Sequence, residues 1–209
     1  MPLKSQSSKE KKPASVTSKT AAKAKLPSKK TSAKKSAIPM TKKNTPASTK
    51  KKSVAVTGGL KVGDCAPDFS LFNEQGQMVT LSGLRGKKIV LFFYPKDNTP
   101  GCTQEACSFR DGLQAIRKKG AVVLGVSADS VASHQKFSQK FDFNFPLLSD
   151  ESKTMIQAYG VWKEKSMYGR KYMGIERTTV LIAKDGTISH LFPKVKVNGH
   201  YEEVLEALG

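Results

Sequence analysis

"IVLFFYPKDNTPGCTQEACSF", residues 89 to 109, changes character part-way along. Its first six residues, Ile89 to Tyr94, are a continuous β-branched, aliphatic and aromatic run with the length of a strand buried on both faces. A helix is expected to follow at once. Thr99 suits the N-cap, Pro100 the first helical position, and the pattern runs on to "IRKKG", where cations and Gly120 mark a C-terminus.

Upstream, "FSLF" (69–72) and "MVTL" (78–81) flank the turn-rich "NEQGQ" and read as a hairpin, after which Ser82 offers a helix cap before "GLRGK". Downstream, "AVVLGVSA" (121–128) is the next buried strand and "SVASHQKFSQKFD" (130–142) an amphipathic helix. "FPLLSD" returns to a strand near Asp150, and a short helix follows around "TMIQAYG". "TTVLIA" and "TISHLF" enclose "KDG", a hairpin signal with Asp185-Gly186 at the turn, and "YEEVLEAL" closes the chain as a helix. The sum is an α/β domain, a mixed central sheet flanked by helices, with no internal repeat.

This domain begins near Gly58-Gly59. Residues 1–58 hold sixteen lysines, no arginine and a single acid, Glu10, and so carry +15 of the chain's formal +19, leaving only +4 for residues 59–209. Lys, Ala, Ser, Thr and Pro dominate the segment and aromatics are absent, so it cannot bury enough apolar surface to offset the entropy of ordering. A disordered lysine-rich tail over 1–58 is expected. Its composition resembles linker-histone tails, suited to sequence-independent neutralisation of nucleic-acid phosphates. A solubilising linker and an organellar transit peptide are the alternatives, the latter opposed by the lack of arginine and of an amphipathic face.

No stretch reaches the roughly 18 apolar residues of a membrane span, and the N-terminus lacks the apolar core of a secretory signal. A soluble compartment is expected. Three cysteines, Cys65, Cys102 and Cys107, are too few for a secreted disulfide framework, which points to reactivity in a reducing compartment. His134, His190 and His200 are scattered without ligand spacing, so neither a metal nor another cofactor is expected.

With Thr99 as cap, Cys102 falls in the first helical turn, where free backbone N–H groups and the positive end of the helix dipole favour a thiolate. It is placed to be a nucleophile. Cys107 lies five residues on, at a Cα separation of about 8.7 Å in an ideal helix, beyond the roughly 7 Å a disulfide spans. The pair joins only if that turn unwinds, a spacing that suits a reaction in which Cys102 first attacks something else.

"PKDNTPGC" resembles the P-x-x-x-T-x-x-C signature of peroxiredoxins, and "TPGCTQEACSFRD" is similar to their Q-type, or bacterioferritin comigratory protein, branch. The resemblance runs from about Lys61 to Leu208 through "VSADSVASHQKF", "YGVW" and "YMGIERTT" and leaves out the tail. It implies a thioredoxin-like fold and a thiol peroxidase acting on hydrogen peroxide and organic hydroperoxides. Carried over by position, the peroxidatic cysteine is Cys102, the resolving cysteine Cys107 and the catalytic arginine Arg177. Thr99 directs its hydroxyl at thiolate and peroxide, and Pro95 shapes the loop and shields the sulfur. The resemblance also implies a Cys102–Cys107 disulfide, reduced by thioredoxin or a glutaredoxin-like partner.

Cys65 matches no active-site element and reads as an incidental thiol, and Trp162 reads as core. The enzyme is expected to be a monomer of the cytoplasm, associated with the nucleoid if the tail binds DNA, with nucleus or organelle as the alternative. Two other functions share these features. A general thiol-disulfide oxidoreductase would want C-x-x-C, which is absent, and a DNA-binding architectural protein would bind duplex without consuming peroxide.

Overall fold

The computed structural model describes residues 59–167 and 169–209. The tail, with the expectations of disorder and nucleic-acid contact that rest on it, lies outside the described residues. The strands are β1 (Ser70–Asn73), β2 (Met78–Thr80), β3 (Lys88–Phe93), β4 (Ala121–Ser127), β5 (Leu147–Ser149), β6 (Trp162–Met167), β7 (Arg170–Ile175), β8 (Thr178–Ile182) and β9 (Ile188–Phe192). The α-helices are α1 (Pro100–Lys118), α2 (Val131–Phe141), α3 (Thr154–Ala158) and α4 (His200–Ala207).

Seven strands form one sheet in the order β2-β1-β5-β4-β3-β8-β9. β3, β4 and β5 run parallel, and the remaining pairings are antiparallel. β3 is central and its residues alternate between two cores. Val90, Phe92 and Tyr94 pack with Phe109, Leu113 and Ile116 of α1, Phe137 of α2 and Val204 of α4. Ile89, Leu91 and Phe93 pack on the other face with Met155 and Ile156 of α3, Tyr159 and Ile175. A run apolar at every position is what a strand between two cores requires. Gly125 of β4 lets the sheet close there, because a Cβ would come within 2.8 Å of both the Phe92 ring and Leu147. The mixed α/β arrangement is the thioredoxin-like fold expected.

Local polar chemistry sets the turns. In the β1–β2 hairpin the Asn73 side-chain oxygen accepts from the backbone N–H of Gln75 (3.0 Å) and Gln77 (2.8 Å). At the β8–β9 turn Asp185 Oδ1 accepts from the Thr187 N–H at 2.9 Å, and Gly186 takes φ +91°. The cap expected at Ser82 falls elsewhere. Ser82 opens a single 3₁₀ turn, Ser82–Leu84, and Thr80 Oγ1 takes the Gly83 N–H at 3.1 Å. The Ser82 hydroxyl itself donates to Thr80 Oγ1 at 3.2 Å, so Thr80, the last residue of β2, is the acceptor for both.

β6 and β7 form a separate two-stranded ribbon that the apolar pattern does not announce. Its "WKEKS" and "RKYM" runs are rich in lysine, which strands ordinarily avoid, and backbone pairing from Trp162↔Ile175 to Met167↔Arg170 holds it together. Among the described residues no helix is long and apolar enough to cross a membrane, and no three His, Cys, Asp or Glu side chains gather as metal ligands.

Candidate active site

α1 begins where the sequence indicates, with Thr99 at the N-cap and Pro100 first in the helix. Cys102 lies in the first turn and is 1 % exposed. Glu105 follows three residues later on the same face of the helix, also buried. Arg177 reaches both from the short connection between β7 and β8. Its Nη2 donates to Cys102 Sγ at 3.3 Å and its Nη1 to Glu105 Oε2. The backbone beside it is pinned, because the Val195 N–H donates to the Arg177 carbonyl (3.0 Å) and the Glu176 N–H to that of Val161 (2.8 Å).

This fork carries uneven charge. Burial pushes the Glu105 carboxyl up to about 7, against the opposing pull of Arg177. One reason is geometric, since Glu105 Oε1 is buried with no hydrogen-bond partner. Burial works against the Arg177 guanidinium too, but Glu105 and Cys102 outweigh it and raise its pKa, so the arginine stays charged while the carboxyl takes up a proton near neutrality. Gly101 permits the contact at close range, because a Cβ there would sit 3.3 Å from Arg177 Nη2.

Thr99 occupies the cap position without capping, since its hydroxyl donates to the Lys96 carbonyl at 3.0 Å. The oxygen keeps its lone pairs for an incoming donor. Pro95 is exposed at the start of the same loop. Cys107 is half-buried further along α1, packed against the core shared with α4, and both it and Cys102 are free thiols. Cys65 is exposed and pairs as an isolated bridge with Thr187. A cavity of about 180 Å³ beside it, bordered by Arg85, Lys87 and Lys184, shares no residue with the Cys102 cluster.

A buried thiol on a helix N-terminus, in contact with an arginine just before β8, the neighbour of β3, is set for attack on an electrophile with arginine stabilising the charge. Comparison with known proteins points the same way. The AhpC/TSA family model matches residues 62–191. The chain belongs to the AhpC/TSA family. It is similar to the Bcp peroxiredoxin of Coxiella burnetii, 53 % identical over 149 residues that cover 71 % of this chain and 99 % of that one. With peroxiredoxin Bcp of Bacillus subtilis the identity is 47 %, covering 71 % and 95 %. Among solved structures, the bacterioferritin comigratory protein of Xanthomonas campestris superposes with a TM-score of 0.65 at 46 % identity, covering 67 % of this chain and 89 % of that one. This AhpC/TSA member is a thiol-dependent peroxidase, a peroxiredoxin of the Bcp and PrxQ type.

Several residues around the peroxiredoxin site escape sequence reasoning. Glu105 carries a signal, its i, i+3 spacing from Cys102, but its partner lies 72 residues away. Lys165, on the lysine-rich ribbon, donates to the Ile175 carbonyl at 2.5 Å, and burial lowers its pKa with help from Arg177, against Glu176 and Cys102. His134, which has no ligand spacing to mark it, is wholly buried in hydrogen-bond contact with Asp97 and Tyr94 beneath the loop that carries Thr99.

Proposed function

We propose that Cys102 is the peroxidatic nucleophile for hydrogen peroxide and organic hydroperoxides, and that Cys107 resolves it. The observation that carries this reading is the Arg177 Nη2 contact to Cys102 Sγ at 3.3 Å in the first turn of α1. The thiolate attacks the terminal oxygen of R–O–O–H, the O–O bond breaks, and Cys102 becomes a sulfenic acid while the departing R–O⁻ takes a proton to leave as R–OH. Arg177 stabilises charge on that leaving oxygen. Thr99, its own proton committed to Lys96, accepts from the hydroperoxide O–H, and Pro95 shapes the loop around it. Alkyl peroxide reduction is described for the X. campestris relative, which supports organic substrates here.

Cys107 then attacks the sulfenic sulfur, forming the disulfide and releasing water. Both cysteines lie within one continuous helix at an ideal separation of about 8.7 Å, so the first turns of α1 unwind for this step. One copy of the chain holds both sulfurs, so the cycle runs in a monomer. A thioredoxin or glutaredoxin-like dithiol returns the enzyme to its reduced form. In Cys102→Ser, peroxide turnover should vanish. Cys107→Ser should consume about one equivalent and stop at the sulfenic acid, detected by dimedone and mass spectrometry. Full turnover in Cys102→Ser overturns the assignment.

The charge of the first 58 residues supports a second role, tethering to nucleic acid. Duplex affinity should fall with a log-log salt slope of about −0.9 per phosphate contacted and hardly depend on sequence. Deleting residues 1–58 should abolish that affinity and leave peroxide turnover nearly unchanged, since the remaining chain keeps +4 and every proposed site residue. Affinity that survives the deletion rejects the tether.

A further inference from the structure

The loop between β3 and α1, residues 95–99, lies on a fully buried polar network. Tyr94, the residue after β3, is 1 % exposed, Asp97 in the loop 5 % and His134 of α2 0 %. Three donors converge on the Asp97 carboxylate. The Tyr94 hydroxyl donates to Oδ1 at 2.8 Å, the Ser133 hydroxyl to Oδ2 at 2.6 Å, and His134 Nδ1 lies 2.9 Å from Oδ2. The other ring nitrogen, His134 Nε2, faces the carbonyl of Leu148 in β5 at 3.2 Å. Each ring nitrogen thus faces an acceptor, and the Tyr94 hydroxyl also lies 3.4 Å from Nδ1.

A second tie holds the same residue from behind. The Asp97 N–H donates to Asp129 Oδ2 at 2.9 Å, and Asp129 is held in turn by the Ser127 hydroxyl at 2.7 Å. Asp97 is thus fixed through side chain and backbone to β3, β4, β5 and α2 together. A buried charge network is a poor way to gain stability compared with apolar packing, but it fixes a unique geometry. The geometry fixed here is that of a loop with Asn98 in the left-handed region at φ +56°, whose Lys96 carbonyl orients the Thr99 hydroxyl.

We propose that Tyr94, Asp97 and His134 are positioning residues for peroxide reduction, holding the 95–99 loop so that Thr99 meets the hydroperoxide over Cys102. Among the described residues, the sulfur is hydrogen-bonded by Arg177 and by none of these three. They act through the loop, on the step that needs a positioned peroxide rather than on the thiol. Their ionisation pattern agrees with the geometry. Burial works against the Asp97 carboxylate but is outweighed by His134, Ser133 and Tyr94, so its pKa is lowered, while burial and then the Asp97 charge hold the Tyr94 hydroxyl far above its ordinary value.

The inference rests on Cys102 being the peroxidatic residue, and the test keeps the two readings apart. Two rate constants are measured on the reduced full-length protein. One is oxidation of Cys102 by hydrogen peroxide in stopped flow. The other is alkylation of the same residue by iodoacetamide, followed by mass spectrometry of the Cys102 peptide, which needs the thiol but no bound peroxide. In Asp97→Asn and His134→Gln the peroxide constant should fall by about tenfold or more, the scale expected of a misplaced reacting group, with alkylation changed less than twofold. Tyr94→Phe, which removes one hydroxyl from the network, should show the same split at about threefold and decides the matter if the stronger variants do not fold. The Asp97→Asn/His134→Gln pair should be no worse than either alone. An unchanged peroxide constant in folded variants, or both constants falling in parallel, overturns the proposal. Turnover persisting in Cys102→Ser would instead reject the underlying assignment of the nucleophile.

Discussion

Two buried carboxyl groups, each paired with a side chain from elsewhere in the fold, flank the start of α1, and they are built to opposite specifications. On the loop side Asp97 meets Tyr94, Ser133 and His134 through its side chain, and its carboxylate is held below the ordinary range. On the helix side Glu105 has Arg177 alone, leaves Oε1 without a partner, and is pushed up to about 7. The first pair ties a loop to four elements of the fold. The second ties a helical turn to one side chain from the connection that leads into β8, the neighbour of β3. If the sulfenic acid forms in the folded turn and the disulfide only in an unwound one, this asymmetry is what the cycle requires, with a fixed platform on one side and a releasable latch on the other.

Cutting the latch at its centre has the largest expected effect. Arg177→Met removes the donor to Cys102 and strands the Glu105 carboxyl, so oxidation by peroxide should slow by about a hundredfold or more, as when one preorganised charge stabiliser is lost. Arg177→Lys should not rescue it, since a single ammonium cannot donate to sulfur and carboxylate along two arms of a planar fork. Stopped-flow oxidation checks both, and wild-type rates in either variant would show that the contact is incidental.

The next effect separates the two pairs by pH. Glu105 has a folded pKa raised from 4.5 to about 7, so its contribution is fully present below the unfolded value and is lost as pH rises through 7. Asp97 runs the other way, its contribution present above 3.8 and lost as pH falls through its lowered folded value. Relative to wild type, Glu105→Gln should therefore gain roughly 2–3 kcal/mol in stability between pH 5 and pH 8, measured as the difference in urea unfolding so that other titrating groups cancel. Asp97→Asn should show no such gain, and equal slopes in the two variants would erase the distinction.

A smaller effect probes how closely the latch is fitted. Gly101→Ala places a Cβ 3.3 Å from Arg177 Nη2, so the guanidinium must shift by a few tenths of an ångström. The helix itself should gain up to about 1 kcal/mol from the exchange. Peroxide oxidation should slow by roughly threefold in a protein no less stable than wild type, a pairing that thermal melts and stopped flow together would establish. A slower and less stable variant would point to a packing defect instead.

How far the sequence foretells this arrangement depends on whether the signal is local. The run Ile89–Phe93, the Thr99-Pro100 start and the Asp185-Gly186 turn each declare themselves within a few residues, and all are found in place. The β6–β7 ribbon goes unannounced because its strands are stabilised by pairing with each other rather than by a buried face, which leaves no apolar alternation to read. The same limit applies at the site. Cys102 and Thr99 announce a helix start, but the hydroxyl of Thr99 turns to Lys96 instead of capping, a choice set by the loop and not by residue type. Asp97 and His134 are 37 residues apart and meet only once β3, α2 and β5 are assembled. Metal-ligand spacing says nothing about His134, because a single histidine paired with a loop aspartate has no spacing to recognise.

The smallest expected effect tests the release itself. Besides the Arg177 contacts, the first turns of α1 are hydrogen-bonded to the segment before α4 through a surface contact, Gln104 Nε2 to Asn198 Oδ1 at 2.8 Å. An exposed hydrogen bond of this kind is worth about 1 kcal/mol, so Gln104→Ala should raise the open fraction of the turn by a factor of about five and leave the thiol's surroundings untouched. Oxidation of Cys102 should then be unchanged, whereas closure of the Cys102–Cys107 disulfide should quicken by up to about fivefold and over-oxidation at high peroxide should fall, because the sulfenic acid is resolved sooner. Amide exchange over residues 99–110 should rise in the reduced variant, and rise further in both proteins once the disulfide forms. If exchange there is unchanged by the substitution and by oxidation, the turn is not what opens, and the contrast between a fixed loop and a releasable helix fails on the helix side.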